Sequence, residues 1–320
     1  MPTSSKNLLA CCLILNTRKT VMRHLRYFHY MDAVARKGSI RAAAEKLHIT
    51  PSALDRRVQD IEDELEAPLF QRHARGMHLT PAGEIFIAYV RRHLADTARV
   101  ESQIQGLKAL RKGHVSVIAS QALGLQFLPQ RVVGFRELFP GISFSLTIGD
   151  RDEALKALAS YEADLALVVS PRSLAEIEPL AIVEQPILAL MDREHPLASA
   201  DELRLSDCLQ YPLVIPDAEL GTGEVLNRAL QKRNVEPNLA ARTNSFELMR
   251  ALLTETDSIG FQVAIGIAEP QGNNRLVAIP VVSRDLAPIP IVCAQLKGRH
   301  LSVAAARFAD DLNRQLVAQT

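Results

Sequence analysis

Long apolar runs are missing from this 320-residue chain: the longest, Leu8 to Leu15, is eight residues. A membrane-spanning helix needs roughly 18 to 20. Cysteine is sparse as well. The four present, Cys11, Cys12, Cys208 and Cys293, show neither metal-ligand spacing nor a disulfide framework, and they suit a reducing cytoplasm. No nucleophile elbow, metal-binding helix, phosphate loop or dinucleotide fingerprint occurs. Gly221-Thr222-Gly223 lacks the strand and third glycine that a nucleotide loop requires, and His195 sits in a proline turn. His24, His29, His73 and His78 gather without ligand spacing. Neither an enzyme, nor a cofactor, nor a metal site is expected. With 48% hydrophobic and 23% charged residues, the chain is an ordinary globular one of two or three units.

The net charge of +1 conceals a split. Residues 1–112 hold 19 basic and 11 acidic side chains, residues 113–320 hold 18 and 25. A basic front and an acidic back suit a module that meets a polyanion, followed by one with another task. Residues 1–21 lack the anatomy of an export signal. They read as an extension, expected to be disordered or loosely helical, with Met22 as an alternative start.

In the front half, Leu25, Phe28, Met31 and Val34 recur every three residues as one helical face, ended by Gly38. Ser39 can cap a second helix, Ile40 to Leu47. Thr50 can cap a third, with Pro51 in the first helical position. Leu54, Val58, Ile61 and Leu65 form that helix's buried stripe, while Ser52, Asp55, Arg56 and Gln59 show on its outer face. Two short helices joined by a tight turn predict a helix-turn-helix. Beyond Pro68, two extended pieces flank the glycine turn at His73-Ala74-Arg75-Gly76, a hairpin wing with Arg72 and Arg75 at its base and tip. Arg56 can fork onto guanine edges or pair with phosphate, and Arg75 suits a narrow minor groove. Asp55 would be repelled by phosphates, yet could accept from a cytosine amino group or orient Arg56.

Thr80-Pro81 starts a long helix expected to reach about Lys112. Phe86, Val90, Leu94 and Ala98 recur every four residues along it. About thirty residues would span roughly 45 Å and overrun so small a domain, so the stripe calls for a partner.

The back half alternates strand and helix patterns. The expected strands are Val115–Ala119, Ile142–Ile148, Asp164–Val169, Ile187–Met191, Pro212–Ile215 and Ser258–Val263. Helices are expected after Leu128, over Glu153–Tyr161, Glu224–Lys232 and Phe246–Thr254, and over Leu301–Leu316. This spacing supports two α/β lobes with a largely parallel sheet. A small ligand, expected to be anionic, would sit between them, at strand C-termini and helix N-termini. By position the candidates are Ser120, Gln121 and Ser170 from the first lobe, and Thr222, Asn244, Ser245 and Gln262 from the second. Arg242 is a candidate counter-charge for a carboxylate.

Ala42-Ala43 with Leu47, the stretch from Thr50 to Ile61-Glu62, Pro68-Leu69-Phe70 with Arg72, and Leu79-Thr80-Pro81-Ala82-Gly83 resemble the N-terminal domain of LysR-type transcriptional regulators. Weaker likeness continues through Phe139-Pro140-Gly141, His195-Pro196-Leu197-Ala198 and Ser258-Ile259-Gly260-Phe261. Two positions depart from the pattern: Asp55 stands where serine is usual, and Glu66 where glycine is common.

The resemblance implies an N-terminal winged helix-turn-helix, mainly α, and a long linker helix, followed by a two-lobed α/β effector domain of the periplasmic-binding-protein (type II) kind. The domains would be a winged helix over 22–80, a linker over 81–112 and a regulatory domain over 113–320. Its lobe I would comprise 113–182 and 283–320, and its lobe II 183–282. Residues expected at DNA are Ser39, Thr50, Ser52, Asp55, Arg56, Gln59, Arg72 and Arg75. Phe86, Val90, Leu94 and Ala98 would pair with a second copy, and Ser120, just after the first strand, would touch the effector. Expected partners are a pseudo-palindromic double-stranded DNA operator, a small-molecule effector, and further copies in a homodimer or tetramer, with no membrane. The alternative is a two-lobed solute receptor or enzyme whose basic front is incidental.

Overall fold

The computed structural model describes residues 25–73, 76–106, 112–169, 175–267 and 275–319. The expected extension over 1–21, Arg75, Ser170 and the last residues of the expected linker helix, 107–111, lie outside them. The chain divides into two compact units between Thr97 and Ala98, and each is taken by itself.

The first unit holds α1 (Arg26–Lys37), α2 (Ile40–Leu47), α3 (Pro51–Glu64), β1 (Phe70–His73), β2 (Gly76–Leu79) and the start of α4 (Pro81–Gly106). Local chemistry sets the boundaries. Gly38 ends α1 at φ +57°, Ser39 accepts from Ala42 N–H, and Thr50 accepts from Ala53 N–H ahead of Pro51. Met31, Val34, Ala43, Ala44, Leu54, Val58, Leu69, Phe70 and Ile87 form the core. The alanines let α2 approach closely. Glu62 accepts from the backbone N–H groups of Leu69 (2.7 Å) and Phe70 (2.9 Å), fixing the start of the wing. At Gly76 a side chain would lie 2.6 Å from the Gly38 carbonyl oxygen, so only glycine lets the wing dock there.

The second unit contains two five-stranded sheets. Lobe I comprises β3 (Gly113–Ala119), α5 (Gln121–Gly124), α6 (Phe127–Leu138), β4 (Ile142–Ile148), α7 (Arg151–Ala159), β5 (Leu165–Val169) and β6 (Ile177–Gln185). Lobe II comprises β7 (Ile187–Asp192), α8 (Leu205–Cys208), β8 (Leu213–Pro216), α9 (Thr222–Arg233), β9 (Leu239–Thr243), α10 (Phe246–Leu253), β10 (Ile259–Val263) and β11 (Leu276–Pro280). The chain then returns to lobe I as β12 (Ile289–Leu296) and α11 (Val303–Val317). The sheet orders are β4-β3-β5-β12-β6 and β9-β8-β10-β7-β11. In each, four strands run one way and one, β12 or β7, runs against them. The largely parallel sheet expected from strand–helix alternation is therefore mixed, because each lobe incorporates one strand that arrives from the other.

The crossover sits at Pro186, since β6 runs in lobe I to Gln185. That is a few residues beyond the boundary expected between 182 and 183. The return also falls later than 282/283: Asp285 still belongs to lobe II, where it accepts from Arg204, Arg233 and the Leu205 N–H. These bonds hold its carboxyl down at about 2 despite burial. Phe308 of α11 meets Phe135 edge-on at 5.1 Å and Phe144 at 4.8 Å, tying α11, α6 and β4 together.

The alternation read in β4 is only half realised: Ile142 is buried, but Leu146 and Ile148 are exposed because β4 is an edge strand. Cys208 and Cys293 are buried, and desolvation pushes both thiols up to about 12. Neither forms a reactive thiolate.

Two positions generate tests. Glu66 adopts φ +51°, the left-handed region that favours glycine. Glu66→Gly is expected to stabilise the first unit by about 1 kcal/mol, measured by urea unfolding. His195 is buried with Nε2 3.2 Å from the Asp257 carbonyl oxygen and Nδ1 accepting from Leu197 N–H at 3.1 Å. Both bonds together require the neutral ring, and burial lowers its pKa from 6.5. A depressed histidine contributes stability that is present above 6.5 and lost as pH falls toward the folded value. The melting temperature of the chain should drop between pH 7 and 5.5, and less steeply in His195→Gln.

Candidate DNA-binding surface and effector cleft

On α3, Ser52, Asp55, Arg56 and Gln59 share one face because they are spaced by three and four residues. Ser52, Arg56 and Gln59 are exposed and Asp55 is half-buried. Arg57 pairs with Asp60 at 3.0 Å and lies over the Tyr27 ring. Asp55 pairs with Arg72 of the wing; it neither orients Arg56 nor stands free. Among the described residues, Arg56 is thus the one cation of α3 without a partner, projecting beside Gln59 and Ser52. Ser39 and Thr50 serve as helix caps through their side-chain oxygens. They fix the two helices of the motif rather than standing free for a base.

Along α4 the structure redistributes the expected stripe. Val90 is fully buried, and Phe86 is half-buried, packing on the core of the first unit and edge-on to Phe28 at 6.4 Å. Leu94 is half-buried and only Ala98 is exposed. The large exposed apolar side chains of α4 are Ile85, Tyr89, Val100 and Ile104. Ile85 and Tyr89 lie in the first unit on a face turned away from Val90, while Val100 and Ile104 fall in the second. The four-residue recurrence picked out a stripe that begins inside the first unit.

In the second unit the nominated effector residues gather where the lobes meet. Ser120 follows β3 and its Oγ accepts from Val169 N–H of β5 at 3.1 Å, which leaves its hydroxyl proton free to donate. Gln121 reaches across to lobe II, where its Oε1 accepts from Phe246 N–H at 2.7 Å. Ser245 caps α10 through Leu248 N–H. Asn244 is exposed beside it.

Thr222 and Gln262 stand out. Both are 0% exposed, yet Thr222 Oγ1 and Gln262 Oε1 have no hydrogen-bond partner among the described residues. Gln262 Nε2 donates to the Gly266 carbonyl at 2.8 Å, and Gly266 in turn abuts Ala122 of lobe I. Thr222 opens α9, whose N-cap, Gly221, supplies no side-chain cap. The start of α9 is also crowded: a side chain on Gly223 would lie 2.2 Å from the Pro216 carbonyl oxygen.

Besides the candidate counter-charge, the structure offers a second arginine. Arg242 is exposed on β9, in a groove with Asn227, Gln231 and Asn234. The arginine between the lobes is Arg151, which opens α7 and is 5% exposed. Its Nη1 donates to Glu224 Oε2 of α9 at 2.7 Å. Asp150-x-x-Glu153, a capping box that holds this end of α7, was the signal that could have found it.

A winged helix-turn-helix and a two-lobed domain with polar atoms left open at its cleft are now both in view. Residues 22–84 match the bacterial regulatory helix-turn-helix protein, lysR family, and residues 108–317 match the LysR substrate binding domain. The chain belongs to the LysR family. It is a LysR-type DNA-binding transcriptional regulator with a C-terminal effector-binding domain.

Among its relatives, the HTH-type transcriptional activator CmpR of Synechocystis is 26% identical over 288 residues, covering 90% of this chain and 94% of CmpR. The RuBisCO operon transcriptional regulator of Allochromatium vinosum is 28% identical over 212 residues, 66% of this chain and 69% of its own. Among solved structures, full-length OxyR from Pseudomonas aeruginosa matches with TM-score 0.71 at 17% identity, over 91% of this chain and 94% of that one. CbnR complexed with its target DNA matches with TM-score 0.60 at 22% identity, over 91% and 99%. These structures share the fold. LysR-type regulators bind DNA and small-molecule effectors and assemble as oligomers; the family is one of regulators rather than enzymes. Among the described residues, no helix is long and apolar enough to cross a membrane.

The open hydroxyl of Thr222 generates a test. An unsatisfied buried hydroxyl costs about 1–3 kcal/mol, and valine has nearly the same shape. Thr222→Val is expected to raise the stability of the ligand-free protein by about 1 kcal/mol, read by urea unfolding.

Proposed function

We propose that this LysR-type regulator senses a small anionic metabolite that also carries a hydrogen-bond donor. The observation behind this reading is the pair of open atoms, Thr222 Oγ1 at the uncapped start of α9 and Gln262 Oε1 at the end of β10. Backbone N–H groups at a helix start attract negative charge. Thr222 can donate to the same group, while Gln262 Oε1 asks for a donor in return. Ser120 and Gln121 supply the opposite wall, with Asn244 and Ser245 at the margin and Ser170 as a further candidate. Arg151, held by Glu224, places a positive charge between the lobes. The ligand changes the relative population of lobe arrangements, and that change passes to the arrangement of subunits on DNA.

In this reading α3 enters the major groove of a pseudo-palindromic operator. Arg56 reads a base edge beside Ser52 and Gln59, Arg75 serves the minor groove, and Arg72 reaches the backbone only where it leaves Asp55. Dimers form through the exposed apolar side chains of α4, Ile85 and Tyr89 in the first unit and Val100 and Ile104 in the second, and two dimers join as a tetramer. The protein works in the cytoplasm, on DNA, without enzymatic activity of its own.

Two outcomes test this. Arg56→Ala should weaken binding to the DNA upstream of the protein's own gene by about 1–3 kcal/mol and relax its specificity, as read by footprinting; an unchanged footprint removes Arg56 from readout. In a thermal-shift screen of the full chain, one series of small organic or inorganic anions should raise the melting temperature with concentration. Thr222→Val should abolish that rise. A rise confined to neutral or cationic compounds overturns the anionic reading.

A further inference from the structure

The recognition helix carries five acidic side chains between Asp55 and Glu64, an awkward surface to bring to a polyanion. Three of them are neutralised internally. Glu62 accepts the two N–H groups at the start of the wing, Asp60 takes Arg57, and Asp55 takes Arg72. The Asp55–Arg72 pair differs from the others in where it lies. Asp55 is on the face that carries Ser52, Arg56 and Gln59, and Arg72 lies on β1 of the wing, seventeen residues away in sequence. The pair therefore joins the two elements that face DNA, and it removes one cation from the surface they present. Asp55 is 29% exposed and Arg72 62%, so the bond stands where phosphate oxygens can compete for the same guanidinium.

Such an exposed bond contributes little to stability. Its effect on DNA binding is larger, because each phosphate contact releases condensed counterions. A guanidinium that must first leave a carboxylate gains less from a phosphate, and the abandoned carboxylate would then stand beside the DNA backbone.

We propose that Asp55 is a specificity-determining residue that acts through Arg72: it withholds that cation from indiscriminate phosphate contact and so weakens binding to DNA of arbitrary sequence. Arg56 and the polar residues around it are left as the groups that choose a site. The inference rests on DNA binding by this unit, and it assigns Asp55 neither a base contact nor a role in orienting Arg56.

The test is a salt titration of the full-length protein on a random-sequence 30-base-pair duplex, followed by fluorescence anisotropy. Asp55→Asn keeps the shape and removes the charge. It should bind random DNA about three- to tenfold more tightly at 0.1 M salt, and its log K against log salt should steepen by about 0.9, the value of one added phosphate contact. In the Arg72→Ala background the same change should leave the slope unaltered. An unaltered slope for Asp55→Asn in the natural background overturns the proposal. So does an equal steepening in both backgrounds, which would make Asp55 a simple repulsive charge. Melting temperatures of the variants separate charge effects from unfolding. Wild-type protein that binds no duplex at any salt would instead count against DNA binding itself.

Discussion

Backbone N–H groups at a helix start need acceptors, and in the second unit that need organises the cleft. Parallel strands β3, β5, β8 and β10 deliver the chain to the region between the lobes, and α5, α9 and α10 begin there. Some of these starts are closed by the protein's own side chains, Ser245 for α10 and Asp150 for α7. The start of α9 is left without a side-chain cap, and a fully buried threonine hydroxyl beside it is left unbonded. Buried polar groups are nearly always satisfied; among the described residues Thr222 Oγ1 and Gln262 Oε1 are two that are not, and both stand at ends of elements that lead to the space between the lobes. Gly223, against two carbonyl oxygens, keeps that helix start close to the end of β8.

The DNA-binding unit solves a different problem with the same means. Its recognition helix is acidic toward its C-terminal end, and internal pairing settles most of that charge: Glu62 on the wing's amides, Asp60 on Arg57, Asp55 on Arg72. What projects from the helix is then a short polar row with a single unpaired arginine. Net charge alone, so clearly basic over residues 1–112, says that this half suits a polyanion. The pairing pattern decides which of the cations remain available to it.

Much of this was legible in the sequence, for physical reasons that can be named. Ser39, Thr50 and Pro51 mark helix starts through local chemistry, and α2 spans Ile40–Leu47 as read. The unusual Glu66 was legible as a departure, and its positive φ explains why glycine suits the position. Four strands were not legible. β6, β9 and β11 are edge strands with mixed exposure, and β6, β11 and the inner strand β12 contain prolines. Neither periodicity nor composition separates such segments from loops. Nor could the sequence tell which apolar side chains of α4 face inward: Val90 and Ile85 look alike until the core is packed. Arg151 carries a local mark in the Asp150–Glu153 capping box, but its burial depends on Glu224, 73 residues away.

The exchange of strands between the lobes has a mechanical meaning. The chain passes from one sheet to the other only twice, at Pro186 and again between Asp285 and Ile289. The two passages lie side by side: Gln185 faces Ile289 in one sheet, and Leu188 faces Pro280 in the other. A join two strands wide, one residue long at Pro186 and three residues long at the return, resists both sliding and twisting, yet bends. The lobes are therefore coupled as the leaves of a door are, with one soft axis, and whatever occupies the space between them is converted into an angle.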